Sequence, residues 1–152
     1  MSREADGKLA EQLLRDALLG RRIEAIETPA AGLWDFRFGD AHLNVGAPWR
    51  IVDGGSIRLG SCDHEQKFGL PEPIDARAVA MELLEGKAVG HVSVSPRTAD
   101  LEVSFEHVFS LFVFNHSSGF EGWGIASDTG VQVIALGGGS LAIFGAKTDK
   151  DK

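Results

Sequence analysis

Apolar residues recur along this chain in two patterns, and the two patterns alternate twice. Over 3–19 they fall on one helical stripe (Leu9, Leu13, Leu14, Ala17, Leu18), with Glu11, Gln12, Arg15 and Asp16 on the other side. Over 33–38 the period drops to two. Trp34, Phe36 and Phe38 alternate with Asp35 and Arg37, as in a strand with one buried face. A second helix is predicted over 75–85, where Val79, Ala80, Leu83 and Leu84 form the stripe. Asp75 is placed to cap it after Pro71-Glu72-Pro73. Leu101, Val103 and Phe105 then repeat the strand pattern, with Glu102 and Ser104 expected to face out.

The spacings repeat as well as the patterns. Leu18, Gly20, Ile23 and Ile26 match Leu84, Gly86, Val89 and Val92. Leu43-Asn44-Val45 matches Leu111-Phe112-Val113, and Trp49-Arg50-Ile51 matches Trp123-Gly124-Ile125. Pseudo-repeats of about 3–62 and 75–136 follow, then a last strand at 140–144 after Gly137-Gly138-Gly139. The charged tail 147–152 is expected to be disordered. Further strands are predicted at 23–27, 41–45, 49–52, 56–60, 90–95, 108–115, 122–127 and 131–136. Turns are expected at Gly39-Asp40, Asp53-Gly54-Gly55, Glu106-His107 and Asp128-Thr129-Gly130. The run 108–115 is the most apolar, which points to a central strand or one buried on both faces. Between the copies there is no linker long enough to separate them into independent domains.

The expected architecture is therefore α+β, a single domain over 1–152. A duplicated helix plus antiparallel meander forms one sheet or a partly closed barrel, with two helices packed on it. Such a fold places any site at the seam of the copies or where they differ.

A hydrophobic content of 43% with 24% charged residues fits a globular chain able to bury one core. The net charge of -7 argues against nucleic acid or an anionic membrane as partner. The single cysteine, Cys62, excludes an internal disulfide and a multi-cysteine zinc site. The N-terminus lacks a signal-peptide core, and no apolar run approaches the roughly 20 residues of a membrane helix. A cytoplasmic location is the expectation.

Candidate chemistry is sparse. Cys62-Asp63-His64-Glu65 gathers a thiol, two carboxylates and an imidazole, and Asp63, His64 or Glu65 could join His116 of the other copy around a metal. Their spacing matches no ligand pattern, so a polar loop before a helix is the competing reading. A Cys62 nucleophile is disfavoured by its acidic neighbours, which raise a thiol pKa, and a buried or incidental cysteine is the alternative. Asn115-His116-Ser117-Ser118-Gly119 puts a base beside hydroxyls but lacks the G-x-S-x-G elbow. A hairpin loop is the competing account of it. The triple glycine is no phosphate loop and suits a bulge or close backbone approach. Trp49 with Arg50, and Glu121 with Trp123, occupy equivalent points of the copies. They are either aromatic binding anchors or core residues, with Arg50 open to an ion pair with Asp53 or Glu121.

Pro48-Trp49-Arg50 before an Asp-Gly turn, and Phe120-Glu121-Gly122-Trp123 before a second turn, resemble small uncharacterised bacterial proteins of a domain-of-unknown-function type, over about 18–144. Proteins of this sort are similar to ones found beside polymorphic toxins, where acidic single-domain proteins serve as immunity partners. The resemblance implies a fold and transfers no catalytic residue.

These readings combine into a non-enzymatic, cytoplasmic protein-binding module, immunity-like in type and without a cofactor. Its partner is an unknown protein or a second copy of itself. The speculative binding residues are Trp49, Arg50, Asp63, His64, Glu65, His116, Glu121 and Trp123. The alternative is a small metal-binding protein or hydrolase with its site at the seam.

Overall fold

The computed structural model describes residues 2–145. Helix α1 (Arg3–Leu18) starts where the Ser2 hydroxyl accepts from the Ala5 amide. Helix α2 (Ala76–Leu84) starts where the Asp75 carboxylate accepts from the Ala78 amide, the cap its sequence predicts. Each helix stops just before a glycine of positive φ, Gly20 at +79° and Gly86 at +75°.

Eleven strands follow in chain order among the described residues: β1 (Ala25–Ala30), β2 (Leu33–Phe38), β3 (Ala41–Val45), β4 (Trp49–Asp53), β5 (Ser56–Gly60), β6 (Val89–Val94), β7 (Leu101–Phe105), β8 (Phe109–Val113), β9 (Trp123–Ser127), β10 (Gln132–Ala135) and β11 (Leu141–Phe144). Boundaries for β2, β3, β5 and β7 are those expected from alternation and turn residues. The expected frayed tail lies outside the described residues.

The strands do not form one sheet or a partly closed barrel. They form two antiparallel sheets, β1-β2-β3-β9-β10-β11 and β5-β4-β8-β7-β6. The first meander (β1-β2-β3) takes its neighbouring hairpin from the second copy, and the second meander (β6-β7-β8) takes its hairpin from the first. The two junctions share one register. Leu43 pairs with Ile125 and Val45 with Trp123, while Leu111 pairs with Ile51 and Val113 with Trp49. The expectation of one sheet fails because period-two alternation specifies which face a residue takes. It does not specify which distant strand lies alongside.

Equivalent residues also meet each other. Arg22 and Ala88, each four positions past its helix-ending leucine, form an isolated antiparallel bridge. Phe38 and Phe105 stack across the two sheets with centroids 6.2 Å apart. Each helix packs on the first strand of the opposite copy, α1 on β6 and α2 on β1. The buried residues of both copies belong to one hydrophobic cluster.

Strand β8 is central in its sheet, as its apolar run suggests, but only one of its faces is buried: Ser110 and Phe112 are half-exposed. Two polar residues expected to face solvent are instead covered. Asp35 is 8% exposed and Ser104 6%. The Ser104 hydroxyl lies 3.0 Å from that of Ser110, and both donate to Glu102 at 3.3 Å. Such shared hydrogen bonds let a hydroxyl remain under neighbouring side chains.

Candidate functional site

Besides the inserted loop and the last strand, the copies differ at the centre of their outer sheet faces. In the five-stranded sheet, Arg50 extends over the Phe112 and Phe114 rings, 5.8 and 5.1 Å from their centroids. This cation–π contact covers the centre of that face, beside a cavity of about 250 Å³ lined by Ser93, Glu102, Phe112 and Phe114. The matching position in the six-stranded sheet is Gly124, in register with Asn44 on β3 and Ile134 on β10. With no side chain there, a groove of about 300 Å³ opens on that face. Its floor includes Gly124 and Ala126, and Leu33, Asn44, Gln132 and Ile134 stand around it.

A second groove, of about 350 Å³, lies beside the first and is lined by Thr28, Ala30, His64 and Glu65. Leu33 and Trp34 line both grooves. The β1–β2 turn thus forms a ridge between them, with Leu33 47% exposed at its crest. One groove reaches Glu121 and the other Glu65. Among the described residues, neither is lined by a lysine or arginine.

The loop 115–121, absent from the first copy, is held firmly. The Asn115 side chain donates to the carbonyls of Thr98 (2.9 Å) and Leu136 (3.1 Å), and its amide donates to Asp100 at 2.9 Å. The Ser117 hydroxyl accepts from the amides of Gly119 (3.1 Å) and Phe120 (2.9 Å). Its backbone reaches the triple glycine, where the Gly138 amide donates to the Ser117 carbonyl at 2.8 Å. A Cβ on Gly137 would meet the Gly119 backbone at 2.5 Å, so this close approach needs glycine. The loop presents Phe120, 81% exposed, next to the groove-lining Glu121. Phe120 and Leu33 are exposed beside the grooves although neither is among the candidates the sequence suggests. The available signal was the extra loop itself, because an insertion carrying an aromatic residue has no partner in the other copy.

The other candidates separate. Trp49 and Trp123 are core residues, each 2% exposed. Trp123 forms the end wall of the first groove, and its indole N–H donates to the Ala99 carbonyl at 2.7 Å. Trp49 packs edge-on against Trp34 (centroids 5.0 Å) and Phe36 (5.5 Å). Its indole N–H finds no hydrogen-bond partner among the described residues. Arg50 makes neither of the ion pairs open to it. Asp53 instead pairs with Arg58 at 3.1 Å.

Asp63 is engaged locally, accepting from the Gly60 amide at 2.9 Å. His64 Nδ1 accepts from the Ala76 amide at 3.1 Å, which places the neutral ring's proton on Nε2. Its ring packs edge-on to Trp34, 5.2 Å between centroids, and Nε2 lies 3.7 Å from Glu65. Glu65 (φ +67°) and Phe68 (φ +46°) hold left-handed conformations that are strained for residues with a side chain. His116 is exposed and lines neither groove. Among the described residues, no group of three or more His, Cys, Asp or Glu is arranged to hold a metal. Cys62 is exposed rather than buried, with Sγ 3.9 Å from Asp63 Oδ1.

A separate polar cluster sits where the β2–β3 and β9–β10 turns meet. Asp40 and Asp128 line one cavity with Arg21, which pairs with Asp40 and donates to the Phe38 carbonyl at 3.1 Å. The proton shared with Asp128 holds Asp40 below the usual carboxylate range, and the same contact raises Asp128. Both carboxylates are open to solvent, which screens the pair.

No described helix is long and apolar enough to cross a membrane. Comparison with family models, curated proteins and solved structures gives no match.

Proposed function

We propose that this protein is a non-enzymatic binding module that takes a basic protein partner across the ridge formed by Leu33. The observation that carries the reading is the pair of grooves meeting at Leu33 and Trp34, which mix apolar and polar lining and bear Glu65 and Glu121 without a lysine or arginine among the described residues. Such a surface suits an extended segment whose apolar residues enter the grooves and whose flanking lysines or arginines meet the carboxylates. Phe120 supplies an aromatic anchor on a loop already pinned by hydrogen bonds, so little ordering entropy is lost on binding. The net charge of -7 adds long-range attraction for such a partner.

The reading is consistent with an immunity-type role, in which a protein acts by covering its partner's surface. It also fits an origin by tandem duplication. The exchanged hairpins bring one meander of the first copy and one hairpin of the second to a shared face, and the second copy's inserted loop shapes that face.

Selection of a random peptide library against the immobilised protein tests the reading. Enriched peptides are expected to combine apolar residues with Lys or Arg and to bind more weakly as salt rises. Phe120→Ala and Glu121→Lys should each weaken binding about tenfold or more, within the range of interface hot spots. Arg50→Ala, on the opposite sheet, should leave it unchanged. Peptides that bind equally to the Phe120 and Glu121 variants would overturn the proposal.

A further inference from the structure

Four strands end the two sheets, and three of them are protected against pairing with another chain. β1 carries Pro29 and a register shift between Glu27 and Ala30. β5 is bulged at Arg58, opposite the Ile51–Val52 step of β4, and Arg58 pairs with Asp53. β6 has a register shift between Val89 and His91, and α1 occupies its edge. The Val94 amide donates to Glu11 at 3.0 Å, and Arg15 Nε donates to the Val92 carbonyl at 3.4 Å. Prolines, bulges, charges and covering side chains are the usual ways in which a sheet edge is closed.

α1 packs against β11 as well as against β6, and Arg3 of that helix donates to the Ser140 hydroxyl at the start of β11 at 3.4 Å. Among the described residues, no side chain of α1 bonds the outer backbone of Leu141–Phe144, and β11 has no proline, bulge or charged side chain of its own. Its four residues, Leu141-Ala142-Ile143-Phe144, are apolar and keep an unbroken register with β10. Among the described residues, no strand pairs with its outer side. Leu141 and Ile143 pack on the core but stay half-exposed, and Phe144 is 53% exposed on the other face. The first copy has no counterpart of this strand, so its edge is not inherited from the repeated pattern.

We infer that β11 pairs antiparallel with β11 of a second copy, about a two-fold axis through Ala142, joining two six-stranded sheets into one. The edge itself selects this occupant. It carries no charge to recruit the basic partner that fits the grooves, and its sequence complements itself. Pairing Ala142 with Ala142 places Leu141 opposite Ile143 of the second copy on the inner face, completing the cover of two half-exposed core residues. On the outer face, Phe144 lies opposite Ser140. The small alanine at the centre lets the backbones approach without a clash. A two-fold axis perpendicular to the sheet also puts both copies' Leu33 ridges on one side of the dimer. This inference rests on the sheet edge alone and stands apart from the groove reading.

Sedimentation equilibrium of the full chain over a concentration series provides the test. The expected result is a species of twice the 16.3 kDa chain mass, which Ala142→Lys converts to monomer by opposing two charges at the axis. Circular dichroism should show that this variant keeps its fold. Ala142→Cys in a Cys62→Ser background should oxidise to a covalent dimer. The register with β10 turns the Ala142 amide and carbonyl away from the axis, and in such a non-hydrogen-bonded pair opposed Cβ atoms come within about 4.5 Å, the separation a disulfide can span. A monomer up to millimolar concentration would overturn the inference. So would a dimer that Ala142→Lys leaves intact and that the engineered cysteine does not link. Peptide binding measured on monomeric Ala142→Lys reports on the grooves separately.

Discussion

Replacing Trp123 by Phe is expected to cost about 1–3 kcal/mol more than replacing Trp49 by Phe. The two tryptophans hold equivalent positions. Both are 2% exposed and both sit opposite a β-meander valine, Val45 for Trp123 and Val113 for Trp49. Each substitution removes the same atoms from the core and leaves a similar space, so the transfer and cavity losses largely cancel in the comparison. The hydrogen bond does not cancel. Trp123 donates to the Ala99 carbonyl at 2.7 Å, and Ala99 is fully buried. Trp123→Phe therefore strands a buried acceptor, whereas Trp49→Phe removes a buried donor that already lacks a partner among the described residues. Phe at 49 keeps a ring to meet the edges of Trp34 and Phe36, which preserves most of that aromatic contact. Urea titration of the wild type and both variants measures the difference, provided the slopes agree. In thermal unfolding the gap corresponds to about 2–4 °C for each kcal/mol in a chain of this size. Equal costs, or a larger cost at Trp49, would refute the assignment of the two indoles.

The paired carboxylates give a pH dependence of definite sign. Asp128, raised in the fold, binds more protons there than when unfolded, so its contribution is present at low pH and is lost as pH rises through its folded value; Asp40, lowered in the fold, contributes above its unfolded value and loses that as pH falls. Asp128→Asn, which keeps a donor for Asp40 without a titrating proton, should remove the loss on the alkaline side of the usual carboxylate range, and carboxyl NMR titration with stability measured against pH checks this. Gly139→Ala should destabilise by about 2 kcal/mol or more, since a Cβ there meets the Arg97 carbonyl at 2.4 Å on a backbone of φ +95°. Gly119→Ala, with nothing within 4 Å, should stay within about 0.5 kcal/mol in the same denaturation assay. Phe120→Ala should likewise leave stability within about 0.5 kcal/mol of wild type while weakening peptide binding, a separation expected only of an exposed anchor.

Local order was written in the chain. The Asp75 cap, the glycines that stop both helices and the alternation over Leu33–Phe38 and Leu101–Phe105 follow from backbone geometry and from the burial of one face, which act over a few residues. Repetition of those signals likewise announced two equivalent units. What the sequence left open was every choice made between distant segments. The sequence placed strands at β3 and β8, the latter as central or buried on both faces, but their partners, β9 and β4, come from the other copy, so one expected sheet became two. The same distance rule governed the candidate site. Trp49 and Trp123 went to the core because two sheets close over them. Arg50 lay down on Phe112 and Phe114, while Gly124 at the matching point left a groove. His64 and Glu65 were brought beside Leu33 and His116 was not. Short-range sterics and hydrogen bonding are encoded residue by residue, whereas strand partners and surface shape depend on contacts that exist only once the whole chain has packed.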